Sequence, residues 1–187
     1  MALPFYTVGH STRSLEDFVA VLDAAEVNEV IDIRTVPRSR TNPQFNADVI
    51  LGLLAPHHIG YERIPELGGL RSKAKNVSPD VNGFWENRSF HNYADYALSE
   101  PFRAGLERLI QSGRKMPCVV MCSEAVWWRC HRRIVTDYLL ARGEAVFHLM
   151  GSNRVDEAHL TRGASVISPT TVLYPRKTSN HNASAPR

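Results

Sequence analysis

The segment FYTVGHSTRSLEDFVAVLDAAEVNEVIDIR, residues 5–34, decides the fold. FYTVGH (5–10) reads as a short buried strand that stops at Gly-His. Ser14 is placed to cap a helix, with Asp17 three residues on. Leu15, Phe18, Val19 and Leu22 recur at helical spacing, which predicts an amphipathic helix over 14–25. VIDIR (30–34) is then a second strand, whose branched apolar residues suit a sheet covered on both faces. Strand, helix and strand in that order predict a parallel pair joined by a right-handed crossover.

The alternation continues downstream. TVPRSRTNPQF (35–45) has two prolines and no period, so it is a loop, and Asn46 is placed to cap a short helix over 47–54. IGYERI (59–64) is the third strand, with PELGGLR as its exit. Residues 71–90 are polar and irregular and are expected to form a long surface loop or lid. A helix is expected over 91–98. Ser99 and Pro101 start another, with Phe102, Leu106, Leu109 and Ile110 on one face and Gly113 at its end. CVVMC (118–122) is the fourth strand, 130–142 a helix closed by Gly143, and AVFHLM (145–150) the fifth strand. VISPTTVLY (166–174) is one further β segment. The expected fold is therefore α/β, a three-layer sandwich around a mainly parallel sheet of about five strands. It forms a single domain over 1–174, and 175–187 is a flexible C-terminal tail.

Composition narrows the classes. A chain of 187 residues with 43% hydrophobic residues can build one genuine core and is not of disordered composition. No apolar run approaches the roughly 20 residues of a membrane span, so no membrane association is expected. MALPFYTVGHSTR lacks a basic region followed by an apolar stretch, so no secretory signal is expected. Three Cys is an odd count that argues for reduced thiols in a cytoplasm rather than a disulfide framework. The net charge of +3 does not by itself imply a nucleic-acid partner, and its distribution says more.

In parallel sheets ligands bind beyond the carboxyl ends of the strands. Those ends carry Gly9-His10-Ser11-Thr12-Arg13, then Arg34, Arg38 and Arg40, then Glu66, Gly68, Gly69 and Arg71. The fourth carries Cys122, Ser123, Glu124, Arg129, Cys130, His131, Arg132 and Arg133, and the fifth Gly151 to Arg154. One polar loop bearing an Arg is ordinary. Five at one edge point to an anion, because converging guanidinium groups repel unless one sits among them, and Arg fits phosphate with paired hydrogen bonds. The helix near Cys130 also opens with His131, Arg132 and Arg133, where the partial positive charge of the helix end favours acids. A docked anion, or Glu124 folded back onto the cations, resolves that conflict.

Individual residues carry competing readings. Cys122 ends a strand before a loop and helix, the arrangement in which a thiolate meets an anion cradle, and Arg129 with the helix start would lower its pKa. Against this, the loop Ser-Glu-Ala-Val-Trp-Trp-Arg lacks the small residues a cradle needs, and a buried strand cysteine is the plain alternative. Cys122, Cys130 and His131 invite a metal, but adjacent helical residues point about 100° apart and no second tight Cys or His pair exists, so no metal and no cofactor is expected. Cys118 belongs to the core. Glu124 is the candidate general acid or base, with a salt bridge to Arg132 or Arg133 as its structural alternative. Asp32, inside an apolar strand, must be paired, and it can orient Arg34 or His10. His10, after a glycine at a strand end, serves catalysis, anion binding or structure. Trp127 and Trp128 are placed to stack on a base or to anchor the loop. Gly68 and Gly69 permit close backbone approach or a turn with positive φ.

Taken together, GHSTR (9–13), DIRTVPRSR (32–40) with NPQF (42–45), PELGGLR (65–71) and MCSEA…RCHRR (121–133) resemble the domain-of-unknown-function family 488 of bacterial and archaeal proteins. The resemblance runs from about residue 5 to about 174. It implies an intracellular domain and marks motif positions, but no reaction. The marked positions are Gly9, His10, Ser11 and Arg13; Asp32, Arg34, Pro37, Arg38, Pro43 and Phe45; Glu66, Leu67, Gly68 and Gly69; and Cys122, Glu124, Cys130, His131 and Arg132. Val126 stands where members often carry a proline before the tryptophan, which bears on the shape of that loop.

The expected function is an enzyme acting on a phosphate-bearing nucleotide or nucleic acid. Arg13, Arg34, Arg38 and Arg132 hold phosphate, and Ser11, Gly68, Gly69 and Cys130 complete the binding surface. Glu124, helped by His10 or His131, moves protons. Two alternatives stand beside it: phosphoryl or sulfur transfer through Cys122, and a non-catalytic anion- or partner-binding module.

Overall fold

A computed structural model describes residues 3–176. β1 (Phe5–Gly9), β2 (Glu29–Asp32), β3 (Gly60–Arg63), β4 (Cys118–Cys122) and β5 (Val146–Gly151) form a parallel sheet. β6 (Arg154–Glu157) adds antiparallel to β5 at the edge, giving the order β3-β2-β4-β1-β5-β6. The expected α/β sandwich is present with one more strand than expected. The VISPTTVLY segment folds back on itself as a separate hairpin of β7 (Ser165–Ser168) and β8 (Thr171–Leu173).

The helices cover both faces. α1 (Leu15–Asp23) and α2 (Ala47–Leu54) lie on one side, where Phe18, Leu22, Ile50 and Leu54 pack on Val8, Val30 and Val119. α4 (Glu100–Lys115) and α5 (Arg132–Ala141) lie on the other, where Leu106, Leu109, Ile134 and Tyr138 pack on Phe5, Ile31 and Val120. Each such side chain, fully buried, contributes about 1.5–3 kcal/mol. The Ser14 hydroxyl accepts from the Asp17 amide, as the capping pattern predicted. Asn46 precedes α2, but its side chain accepts from the Ser39 amide instead, tying the 35–45 loop to the helix start.

Two boundaries moved for identifiable reasons. α3 (Arg88–Tyr96) begins earlier than 91 because Asn87 caps it, accepting from the Ser89 and Phe90 amides. The second half of the 71–90 segment is therefore not a free lid. Buried Asn82 donates to Asp95 and accepts from the Tyr174 amide, and Trp85 stacks on Phe90. Gly113 does not end α4. It lies buried within the helix, where a Cβ would strike the Phe5 ring. Of the expected tail, 177–187 lies outside the described residues. Among the described residues no helix is long and apolar enough to cross a membrane.

The chain leaves β1 for β2 across α1 on one face, and leaves β4 for β5 across α5 on the other. Adjacent β1 and β4 therefore flank the crevice where the connections diverge, the position at which doubly wound sheets bind ligands.

Candidate functional site

The exits of β1 and β4 press together at that crevice. Gly9 pairs with Cys122, and a Cβ on residue 9 would lie 1.7 Å from the Glu124 carbonyl oxygen. Ser11, at φ 51°, turns the chain away while its amide donates to the Ser123 carbonyl. Because side chains alternate along a strand, His10 and Asp32 emerge on the α1–α2 side and Cys122 on the α5 side.

On the α1–α2 side the polar groups satisfy one another. Arg34 clasps Asp32 through Nε and Nη2, at 2.9 and 2.6 Å, and donates to the Phe45 carbonyl at 2.6 Å. Tyr61 donates to Asp32 at 2.6 Å. His10 lies 4.3 Å from the Phe45 ring, stacked on it. Its Nδ1 donates to the Ser11 carbonyl at 2.8 Å, and Nε2 accepts from Arg34 at 3.1 Å. Burial lowers its pKa, the Ser11 carbonyl opposing, so the ring stays neutral with both nitrogens engaged. Both His10 nitrogens are therefore engaged, and Arg34 is held by Asp32, His10 and the Phe45 carbonyl.

On the α5 side the donor atoms face one another. His131 Nε2 lies 3.1 Å from the Ile33 carbonyl. A carbonyl only accepts, so Nε2 carries a proton, and Nδ1 is left to the sulfurs: it presents a lone pair to a thiol, or an N–H once it has taken the thiol proton. Nδ1 faces the Cys122 sulfur at 3.9 Å and the Cys130 sulfur at 3.7 Å. Gly69 makes room for the ring, since a Cβ there would lie 2.4 Å from Nδ1, and Tyr93 contacts the ring edge-on at 5.0 Å. Close approach, not positive φ, is what Gly69 provides. Gly68 does the same beside Thr35.

Cys130 donating to Cys122 holds the Cys122 thiol well below the ordinary range; burial opposes this, and His131 and Arg132 reinforce it. Cys130 is pushed well above that range by burial and by its bond to Cys122. Cys118, on the same strand, is core, and burial pushes it up to about 12. The expectation that Cys130 and His131 diverge is overturned. Cys130 is extended (φ −119°, ψ 145°) and α5 begins only at Arg132, so helical spacing does not apply to this pair.

The guanidinium groups are placed differently from the sequence expectation. Arg132 is 1% exposed and donates to the Glu124 and Ala125 carbonyls at 2.6 and 3.1 Å. Arg13 donates to the Gly9 and Met150 carbonyls. Arg38 stands exposed against Asp48, away from the thiols. Arg133 donates to Thr161 and lies 5.0 Å over the Trp85 ring. The cations at the start of α5 are thus explained by carbonyls and rings rather than by a folded-back acid. Glu124 contributes its carbonyl to Arg132, while its exposed side chain forms no ion pair among the described residues.

A cleft of about 310 Å3 opens over this cluster. Cys122, Cys130 and His131 line it, together with Ser123, Glu124, Arg34 and Arg129. Val36, Leu70 and Phe90 form its apolar part. Arg38 is not among its walls. Trp127, stacked on His148 at 4.5 Å, anchors the loop beside it, while Trp128 is exposed. Sequence reading missed Phe90 and Tyr93 but had named Arg129 beside Cys122. Both missed residues lie on α3, away from the strand exits, and only their spatial position marks them.

Fold and crevice together define a doubly wound α/β protein with a thiol–imidazole cluster at its strand ends. The chain belongs to the family described as Domain of unknown function DUF488, whose model matches residues 14–139. The match takes in three of the four motifs and begins just after GHSTR (9–13). No curated protein and no solved structure matches the chain.

Proposed function

We propose that this chain is an enzyme of thiol group transfer in which the Cys122 sulfur accepts the transferred group from a small molecule in the cleft. One observation carries the reading: Cys122 lies on the cleft wall with the His131 Nδ1 atom and a second thiol as its polar neighbours. The Cys130 thiol, then His131 and Arg132, favour its thiolate against the opposing effect of burial.

Sulfur transfer fits better than phosphoryl transfer. A phosphoryl group needs convergent N–H donors or free guanidinium groups. Here the carbonyls of residues 124 and 125 turn toward Arg132, and Arg13, Arg34 and Arg132 are engaged, which leaves the exposed Arg129 on the cleft wall without convergent partners. The same facts weaken the nucleotide and nucleic-acid reading, which needed those groups free. In the proposed step the Cys122 thiolate attacks the outer sulfur of a sulfane donor such as thiosulfate. A sulfur–sulfur bond forms on Cys122, sulfite leaves with its electron pair, and an acceptor thiolate or cyanide then takes the sulfur.

The test is thiosulfate-dependent labelling of the reduced, metal-free chain, read by intact mass. The expected result is one added sulfur on the wild type and none on Cys122→Ser. An unlabelled wild type whose Cys122 also reacts with iodoacetamide no faster than a free thiol near pH 7 removes the reading.

A further inference from the structure

We propose that Cys122, Cys130 and His131 hold one soft divalent cation of the zinc class, with its remaining position open to the cleft. The binding needs only these three donors. Its consequence for sulfur transfer rests on the preceding reading: a cation on Cys122 occupies the lone pair that attacks the donor, so loaded and reactive forms exclude each other.

Geometry is the first support. The three donor atoms lie within 4.8 Å of one another. In a tetrahedral zinc site, bonds of about 2.3 Å to sulfur and about 2.0–2.1 Å to nitrogen put neighbouring donors about 3.6 Å apart. The two sulfur–nitrogen separations, 3.9 and 3.7 Å, are close to that spacing without a cation.

The surroundings are the second support. Ligating histidines usually give their other nitrogen to a carbonyl or carboxylate, which fixes the tautomer and aims the ring. His131 Nε2 does this with Ile33, a bond that otherwise leaves Nδ1 facing only two sulfurs. The Arg132 amide reaches the Cys130 sulfur at 3.5 Å. Its guanidinium is buried, has one nitrogen without a hydrogen-bond partner, and pairs with no carboxylate among the described residues. A buried cation so placed calls for anionic sulfur nearby.

Donor chemistry selects the ion. Two sulfurs and an imidazole suit zinc and disfavour magnesium or calcium, which take oxygen. Three protein ligands with one face toward a cleft match the open type of zinc site rather than the closed structural type.

The experiment titrates the reduced full chain with cobalt(II), then zinc. The expected result is one equivalent bound in a tetrahedral thiolate spectrum, displaced by zinc. Cys130→Ser and His131→Ala are expected to weaken binding roughly 100-fold or more, since losing even an outer partner costs about 10–100-fold, while Cys118→Ala retains it. A wild-type chain that binds neither ion at about 10-fold molar excess overturns the proposal, whatever the variants do. Undiminished binding by a folded Cys130→Ser, or isolation of the pair only as a Cys122–Cys130 disulfide under reductant, overturns it too. Zinc is also expected to slow alkylation of Cys122. If no cation binds while metal-free Cys122 accepts sulfur, only this inference fails. If a cation binds and metal-free Cys122 accepts none, only the transfer reading fails.

Discussion

Two polar clusters share one crevice and differ in how completely their atoms are used. On the α1–α2 side, Asp32, Arg34, His10, Tyr61 and the Phe45 carbonyl form a closed set. On the α5 side, Cys122, Cys130 and the Nδ1 atom of His131 have mainly each other. The first cluster contains the formal ion pair, and its polar atoms satisfy one another. The second contains no carboxylate and faces the cleft. On the proposed reading, buried charge marks the set that holds the crevice, and donor atoms beside an opening mark the set that reacts.

The largest effect is expected from opening the closed set. Asp32→Ala leaves Arg34 buried without its counter-ion and is expected to cost about 3–5 kcal/mol. Urea unfolding measures it, and a loss below about 1 kcal/mol would mean that the clasp is not needed to hold the crevice.

A middle-sized effect is expected near the thiol side. His148 is 2% exposed, stacked on Trp127 and hydrogen-bonded to Thr7. Burial, with Arg132 adding and Asp156 opposing, lowers its pKa to about 4. The unfolded chain thus binds the proton first. This contribution to stability is complete above about pH 6.5 and is lost as pH falls through the window down to about 4. At pH 5 the loss from this group is about 2 kcal/mol. Stability measured at pH 7 and pH 5 should fall by that much more in the wild type than in His148→Asn.

The smallest effect is expected at Arg38, which belongs to neither cluster. Arg38→Ala removes an exposed pair with Asp48 and should change stability by less than about 0.5 kcal/mol. It should also leave sulfur labelling of Cys122 unchanged, and a large loss in that mass assay would return Arg38 to the site.

Much of this was legible in the sequence. Period and branched residues placed four short apolar parallel strands, while the third, the half-buried GYER (60–63), was marked by its flanking isoleucines and the proline after them. β6 was not legible, because RVDE (154–157) is an exposed edge with no apolar period. The sequence named most residues that line the cleft, but not what their side chains bond to. Whether Arg34 or Arg132 holds a ligand or a carbonyl depends on which backbone oxygens the fold leaves within reach, and sequence spacing does not encode that. The Cys130–His131 pairing was misjudged for a similar reason. One extended residue before a helix changes where its neighbour points, and nothing in RCHRR (129–133) marks that step.

The two clusters are joined by a single stretch of backbone. Arg34 closes one cluster through its side chain, while the carbonyl of Ile33, the residue before it, aims the imidazole of the other. Residues 32–34 thus act as a lever arm. A tilt there would swing the His131 ring and misdirect its lone pair with no change to either cysteine, so substitutions in a region without reactive groups can detune the thiols from a distance.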